Sequence, residues 1–228
     1  MADGVRFEEA IDFLRRRLAL PGDRWNEIVQ EIDKAARDRS AGMSDALMRD
    51  VLAAVLDAIE DGGAFESFLD DYLEAIRRHG WTTGDELDLR QRAELTFRIA
   101  TAQAYAAGRW AQIQRNKALR PWLRYVHVDP KLTQRYSRPH HAAWHGTILH
   151  ADDSWWDVHY PPNGWNCRCY VTTHNDRDLA RFGWTVSERP AEATEIRWTK
   201  GGAVETPKGV DPGFAYNVGK VGLSLPRG

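Results

Sequence analysis

Cysteine is nearly absent: the 228 residues hold only Cys167 and Cys169. Two cysteines separated by a single residue cannot close an unstrained disulfide, so no disulfide framework holds the fold and a reducing compartment suits it. No apolar run approaches the roughly 18 residues that a membrane span needs. The opening residues, MADGVRFEEAIDFLRRR, lack the apolar stretch of a signal peptide, which points to a cytoplasmic start. The P-loop, the dinucleotide fingerprint, His-Glu-x-x-His and Gly-x-Ser-x-Gly are all missing, so no common catalytic motif is available. Repeats and low-complexity tracts are missing too. A net charge of -2 excludes a bulk polycation for nucleic acid. A hydrophobic fraction of 43% is sufficient for a core and excludes wholesale disorder.

The charge is small in sum but unevenly spread. Residues 1–90 carry 21 acidic and 12 basic side chains, and residues 91–228 carry 12 and 19. An acidic front and a basic back suggest different partners for the two parts, or simply two solvated faces of unlike sign.

Helical periodicity fills the first 120 residues. Phe7, Ile11, Leu14 and Leu18 share one helical face, ended by Pro21-Gly22. Trp25, Ile28, Val29, Ile32 and Ala36 predict a second helix after a cap at Asp23. Ser44 is placed to cap a third, which carries Leu47, Val51, Leu52, Val55 and Ile59. Phe65, Phe68, Leu69, Leu73 and Ile76 predict a fourth, with cationic residues Arg77 and Arg78 at its C-terminal end and Gly80 as its stop. The fifth is the longest and is expected from Thr83 or Glu86 to about Ala118. Its stripe of Ala93, Phe97, Ala100, Ala104, Ala107 and Ala111 allows close helix packing, either within the chain or against a partner's helix.

After Pro121 the periodicity stops. Seven of the ten tryptophans follow that residue, among dense Pro, Gly and His. Strand-like runs occur at 123–128, 147–149, 169–173 and 195–198, with a short helix at 177–182. The chain therefore reads as α+β: a helical region at 1–90, a long helix leading into a compact α+β domain at 91–220, and a flexible tail at 221–228.

The chemistry-bearing residues concentrate at 135–170, where His140, His141, His145, His150 and His159 precede the two cysteines. Imidazole and thiolate are zinc ligands, and a tetrahedral site needs four groups. His141 and His145 are four apart and would share a helical face, which with Cys167 and Cys169 makes a candidate set. The alternative is that the histidines hydrogen-bond loop carbonyls and the cysteines are small buried hydrophobes. Tyr160-Pro161-Pro162-Asn163-Gly164-Trp165 reads as a tight reversal, with Asn163-Gly164 tolerating positive φ and Trp165 aimed into the core. Arg168, between the cysteines, would leave on the opposite side and bind a carboxylate such as Asp157. A Cys167–His nucleophile pair, or His145 with Asp152 or Asp157 as an acid–base pair, is formally available without a motif of fixed spacing behind it. Arg115, Lys117, Arg120 and Arg124, with Arg109, Lys131, Arg135 and Arg138 around them and Trp122, Tyr125 and Tyr136 interleaved, form a candidate nucleic-acid surface or a solvated face with internal ion pairs.

Three segments carry a resemblance: R-P-H-H-A-A-W-H-G at 138–146, W-W-D-V-H-Y-P-P-N-G-W-N-C-R-C at 155–169, and D-P-G-F-A-Y-N-V-G at 211–219. With T-F-R-I-A-T-A-Q-A-Y-A-A-G-R at 96–109 upstream, residues 90–220 resemble the phage Mu protein F-like family of minor head, or head-morphogenesis, proteins. The resemblance puts weight on Arg138, His141, Gly146, Pro162, Gly164, Asn166, Cys167, Arg168 and Cys169. It implies a minor capsid protein without turnover, from a tailed phage, a prophage or a gene transfer agent. Such a protein is expected in few copies inside the virion near the portal, after assembly in the bacterial cytoplasm. Its implied partners are the portal and the major capsid or scaffold proteins, with packaged double-stranded DNA as a further contact and no membrane. Longer relatives carry fused toxin domains, and none is expected in this chain. No cofactor is required on this reading, and any zinc would be structural. The competing readings are a metal-dependent hydrolase or nuclease using the His/Cys block, and a DNA-binding accessory protein ejected with the genome.

Overall fold

A computed structural model describes residues 7–20, 44–62, 64–81, 86–128, 138–199 and 202–225. The fold is α+β, with helices first and small antiparallel sheets after them. The helix expected around Trp25 to Ala36, and the basic and aromatic residues Lys131, Arg135 and Tyr136, lie outside the described residues. By internal contacts the chain divides into one unit of Met1–Arg109 with Val221–Gly228 and another of Trp110–Lys220. The break therefore falls inside the long helix, where the sequence pattern had suggested a boundary near residue 90.

The first unit is built from α1 (Glu8–Leu18), α2 (Asp45–Glu60), α3 (Phe65–Arg78) and most of α4 (Glu86–Asn116). Each of the first three buries the face its periodicity marks: Ile11 and Leu14 in α1, Val51, Leu52 and Val55 in α2, Phe68, Leu69 and Ile76 in α3. Ser44 caps α2 by accepting from the Leu47 N–H at 3.2 Å. The Arg49 guanidinium donates to the carbonyls of Leu18 and Leu20, where the last turn of α1 leaves acceptors free. On α4, Ala93, Ala100, Ala104 and Ala107 are buried, and Phe97 packs on Phe68 with ring centroids 4.9 Å apart. A Cβ at Gly108 would come within 2.8 Å of the Ala10 backbone nitrogen, so the small stripe is used for close packing inside the unit. The tail differs from expectation. Residues 218–224 form a helix, α8 below, because Gly222 sits on Phe13 and Leu225 is buried.

In the second unit, β1 (Trp122–Val126) is the centre of a three-stranded antiparallel sheet, flanked by β2 (Ile148–His150) and β3 (Tyr170–His174). Leu123 lies opposite Leu149 on one side and Thr173 on the other, and Tyr125 opposite Val171. Burial alternates along β1, so Leu123 and Tyr125 face inward. Among the described residues three short helices join the strands: α5 (Pro139–Ala143), α6 (Trp156–His159) and α7 (Asp176–Phe182). Asn175 and Asp178 form a reciprocal capping box at the start of α7, and Gly183 ends it at φ +64°. A separate hairpin pairs β4 (Thr194–Thr199) with β5 (Gly202–Pro207), and α8 (Val218–Ser224) follows. Among the described residues no helix is long and apolar enough to cross a membrane.

Candidate metal centre

The core of the second unit is aromatic rather than aliphatic. Trp155 stacks on His159 with centroids 4.4 Å apart, and Trp144 stacks on His141 at 5.2 Å. Tyr125 meets Trp144, Trp155 and His141 edge-on. Buried rings with polar atoms need partners, and Tyr125 and His159 have them. The Tyr125 hydroxyl donates to Asn163 Oδ1 at 3.0 Å, and the fully buried Asn163 amide donates to the carbonyls of Val158 and Tyr160. Burial pushes the Tyr125 phenol far up, and the neighbouring Cys167 and Cys169 sulfurs add to it. His159 Nδ1 lies 3.2 Å from the Trp155 carbonyl, to which it donates, and burial holds the pKa of this ring below its ordinary value.

The reversal at 160–169 is clamped from outside. Arg138 donates to the Trp165 carbonyl and, at 3.1 Å, to the Asp211 carboxylate. The same carboxylate oxygen accepts from the Trp165 N–H, while the Asp211 N–H donates to the Asn163 carbonyl. A Cβ on Gly164 would sit 2.3 Å from Asp211 and 2.7 Å from Arg138, so glycine is required here by closeness and not by φ. Positive φ falls at Asn166, at +57°, and not at Asn163-Gly164 as the dipeptide suggested. Pro162 follows Pro161 through a cis peptide. Trp165 turns onto Phe214, and Gly146 holds φ +87° while its N–H donates to the Tyr125 carbonyl.

This clamp delivers both cysteines to one place. Cys167 is buried, Cys169 is half-buried, and Arg168 between them is exposed. Both sulfurs approach His141 Nδ1, at 3.6 Å from Cys167 and 3.4 Å from Cys169. His127 Nδ1 lies 3.4 Å from the Cys169 sulfur. The ligand atoms of His127, His141 and Cys169 all lie within 4.8 Å of one another. His141 is 1% exposed, and its Nε2 donates to the Gly209 carbonyl at 2.8 Å. The two thiols share their titration. The hydrogen bond to Cys169, with burial behind it, drives the Cys167 thiol upward, and the same bond with help from His141 drives Cys169 downward. A buried thiol pushed upward is the opposite of an activated nucleophile, which weakens the Cys167–His pair as a catalytic device. The thiols and imidazoles together can hold a borderline-soft cation.

The set differs from the one read from sequence. His141, Cys167 and Cys169 come together, His127 joins them, and His145 stands aside. His145 Nδ1 accepts the His127 backbone N–H at 3.1 Å, and its Nε2 faces Arg124 at 3.4 Å. The four-residue spacing fails because α5 ends at Ala143 and the chain turns at Trp144 to Gly146. A signal for His127 was present: it continues the inward alternation of Leu123 and Tyr125 by one more step.

The remaining residues singled out by sequence are engaged elsewhere. Asp157 pairs with Lys220 and Asp152 with Lys117, and among the described residues Arg168 makes no ion pair. In the basic group, Lys117 is held by Asp152 at 2.6 Å and Arg120 by Asp178 and Thr173. Arg124 lies over the Trp184 ring at 4.5 Å, and Arg115 also has an interaction partner. Internal contacts therefore take up much of the charge proposed for phosphate binding.

The model of the phage Mu protein F like family matches residues 49–172, more than half of the chain. The protein named "Putative capsid assembly protein F" of Escherichia phage Mu is 32% identical over 179 residues, covering 72% of this chain and 39% of that protein. The Mu-like prophage FluMu F protein of Haemophilus influenzae is 29% identical over 224 residues, covering 86% of this chain and 52% of that protein. The chain thus spans about half the length, or less, of the curated relatives it matches. No solved structure matches it.

Proposed function

The chain belongs to the phage Mu protein F like family, and from that premise we propose that it is a structural assembly protein of a phage or prophage head. The observation that carries this reading is the match over residues 49–172, together with the capsid-assembly name of the Mu relative. In its finer form, the protein is a minor head component, present in few copies, that binds the portal during procapsid assembly and touches the major capsid or scaffold protein. Any contact with packaged DNA uses the surface left after Lys117, Arg120 and Arg124 are engaged internally. The acidic front half faces protein, since packaged DNA would repel it.

A structural role also suits the chemistry of the second unit. Two of its polar side chains, Arg138 and Asn163, hold the reversal at 160–169, each bound to several partners.

The test is genetic and structural. Deleting the gene from its phage or prophage should leave portal and capsid proteins expressed but yield aberrant or DNA-free heads by electron microscopy. The full-length chain should be recovered in purified virions and cross-linked to portal. Normal, infectious heads lacking the protein would end this reading.

A further inference from the structure

We propose that His127, His141, Cys167 and Cys169 bind one Zn²⁺ in a closed, structural site. The distances fit. Zinc–sulfur and zinc–nitrogen bonds of about 2.3 and about 2.0 Å at the tetrahedral angle place sulfur and nitrogen ligand atoms about 3.5 Å apart. Three of the four S···N separations are 3.4, 3.4 and 3.6 Å. Cys167 lies outside the group of His127, His141 and Cys169 whose ligand atoms fall within 4.8 Å of one another, so its sulfur must swing toward His127 to close the tetrahedron. Two thiolates and two imidazoles are a donor set that selects zinc over hard cations.

The tautomer fits as well. A carbonyl can only accept, so the contact of His141 Nε2 with the Gly209 carbonyl puts the ring proton on Nε2. The Nδ1 lone pair is thereby turned toward both sulfurs, as a metal-bound histidine requires. Gly209 makes this possible by its closeness: a Cβ there would lie 2.5 Å from the His140 Cβ. His145 is a positioning residue. Its Nδ1 accepts the His127 backbone N–H and so fixes the chain at that ligand. Four protein ligands leave no open position for water, so the ion braces the end of β1, helix α5 and the 160–169 reversal against one another and activates no nucleophile. This assignment does not depend on the assembly reading.

The full chain, purified without a metal-affinity tag, is analysed by plasma mass spectrometry and then stripped and titrated with Zn²⁺ and Co²⁺. About one zinc per chain is expected. Cobalt should give the intense ligand-field bands of a tetrahedral site and a thiolate charge-transfer band. Chelation should lower the melting temperature, and added zinc should restore it. Cys169→Ser should about halve the charge-transfer band, since one of two thiolates is lost. His127→Ala should lose at least about 10-fold in zinc affinity, as judged against a chromophoric competitor, and lose more than His145→Ala. Near-UV circular dichroism confirms that each variant is folded. A folded wild-type chain that takes up no zinc on titration would overturn the site. Equal or greater loss in His145→Ala than in His127→Ala would overturn the ligand assignment.

Discussion

The two units are held together by different kinds of contact. In the first, helices meet through aliphatic side chains and alanines, as at Ala93, Ala104 and Val55, and a few rings such as Phe68 and Phe97. These contacts are non-directional, and any side chain of about the right volume contributes. In the second, rings of Trp, Tyr and His interlock, and the loop between them is held by directed hydrogen bonds from Arg138, Asn163 and Asp211. Each of these groups must have its partner, because an unpaired polar atom in such a place costs more than a lost methylene. The contrast teaches that the first unit should tolerate repacking, whereas the second should fail at single points.

The largest test is Trp155→Ala. Its ring touches Tyr125, Trp144, Trp156 and His159, so the loss should be about 3–5 kcal/mol in denaturant unfolding, with collapse of the near-UV signal. Phe68→Ala in the first unit empties another fully buried ring site and should cost about 3–5 kcal/mol as well, yet leave that signal largely intact. If both substitutions erased it equally, the distinction between the units would fail. Next in size is Asp211→Asn, which takes a charged acceptor from Arg138 and the Trp165 N–H. Both side chains of that ion pair are less than a quarter exposed, and the expected cost is about 2 kcal/mol. Arg78 in the first unit, exposed and shared between Glu74 and Asp50, should show a much smaller loss on Arg78→Ala than Asp211→Asn does.

The same difference decides what could be read in advance. Apolar spacing is a property of the sequence itself, so the helices carrying Leu14, Val55 and Phe68 are found within a residue or two of their predicted positions. The strand runs around Leu123, Ile148 and Val171 shift by only one or two residues as well. The site was only half legible. His141, Cys167 and Cys169 stand out by residue type, but which histidine joins them depends on where α5 stops. Likewise Asp211 lies 46 residues from the Trp165 N–H it holds, and no local pattern links two such positions. The strand Gly202–Pro207 was invisible because it carries little alternation of its own and exists through pairing with Thr194–Thr199.

A graded effect should come from pH. His159 is buried against Trp155 and Trp144, and burial lowers its pKa from 6.5. The unfolded chain therefore takes up this proton first as the pH falls, so the unfolded state gains and stability is lost below about pH 6.5. Above that value both states are neutral at this ring and the dependence vanishes. His145 and His174, also lowered chiefly by burial, act in the same direction. The first unit carries a single histidine, His79, so the acid sensitivity belongs to the second. Melting curves from pH 8 to 5 should fall below the midpoint for wild type, and His159→Gln should remove part of that slope. A slope unchanged in His159→Gln would show that its burial does not matter to acid stability.

The smallest test asks whether the first unit contains any single point of failure. Ser44 makes one of its directed contacts, a hydroxyl accepting one N–H at the start of α2. Replacing it with alanine leaves that N–H to water and should cost about 1 kcal/mol. Because the cap serves only one donor, Ser44→Asp should restore the loss, with its carboxylate also favoured by the positive end of the helix. The corresponding change in the second unit, Asn175→Ala, breaks a reciprocal box whose other member, Asp178, also holds Arg120. Its cost should exceed that of Ser44→Ala, since the loosened carboxylate gives up part of its grip on the guanidinium. Equal costs for the two caps would mean that directed contacts in the second unit act one by one, as they do in the first, and that its rigidity comes from its rings alone.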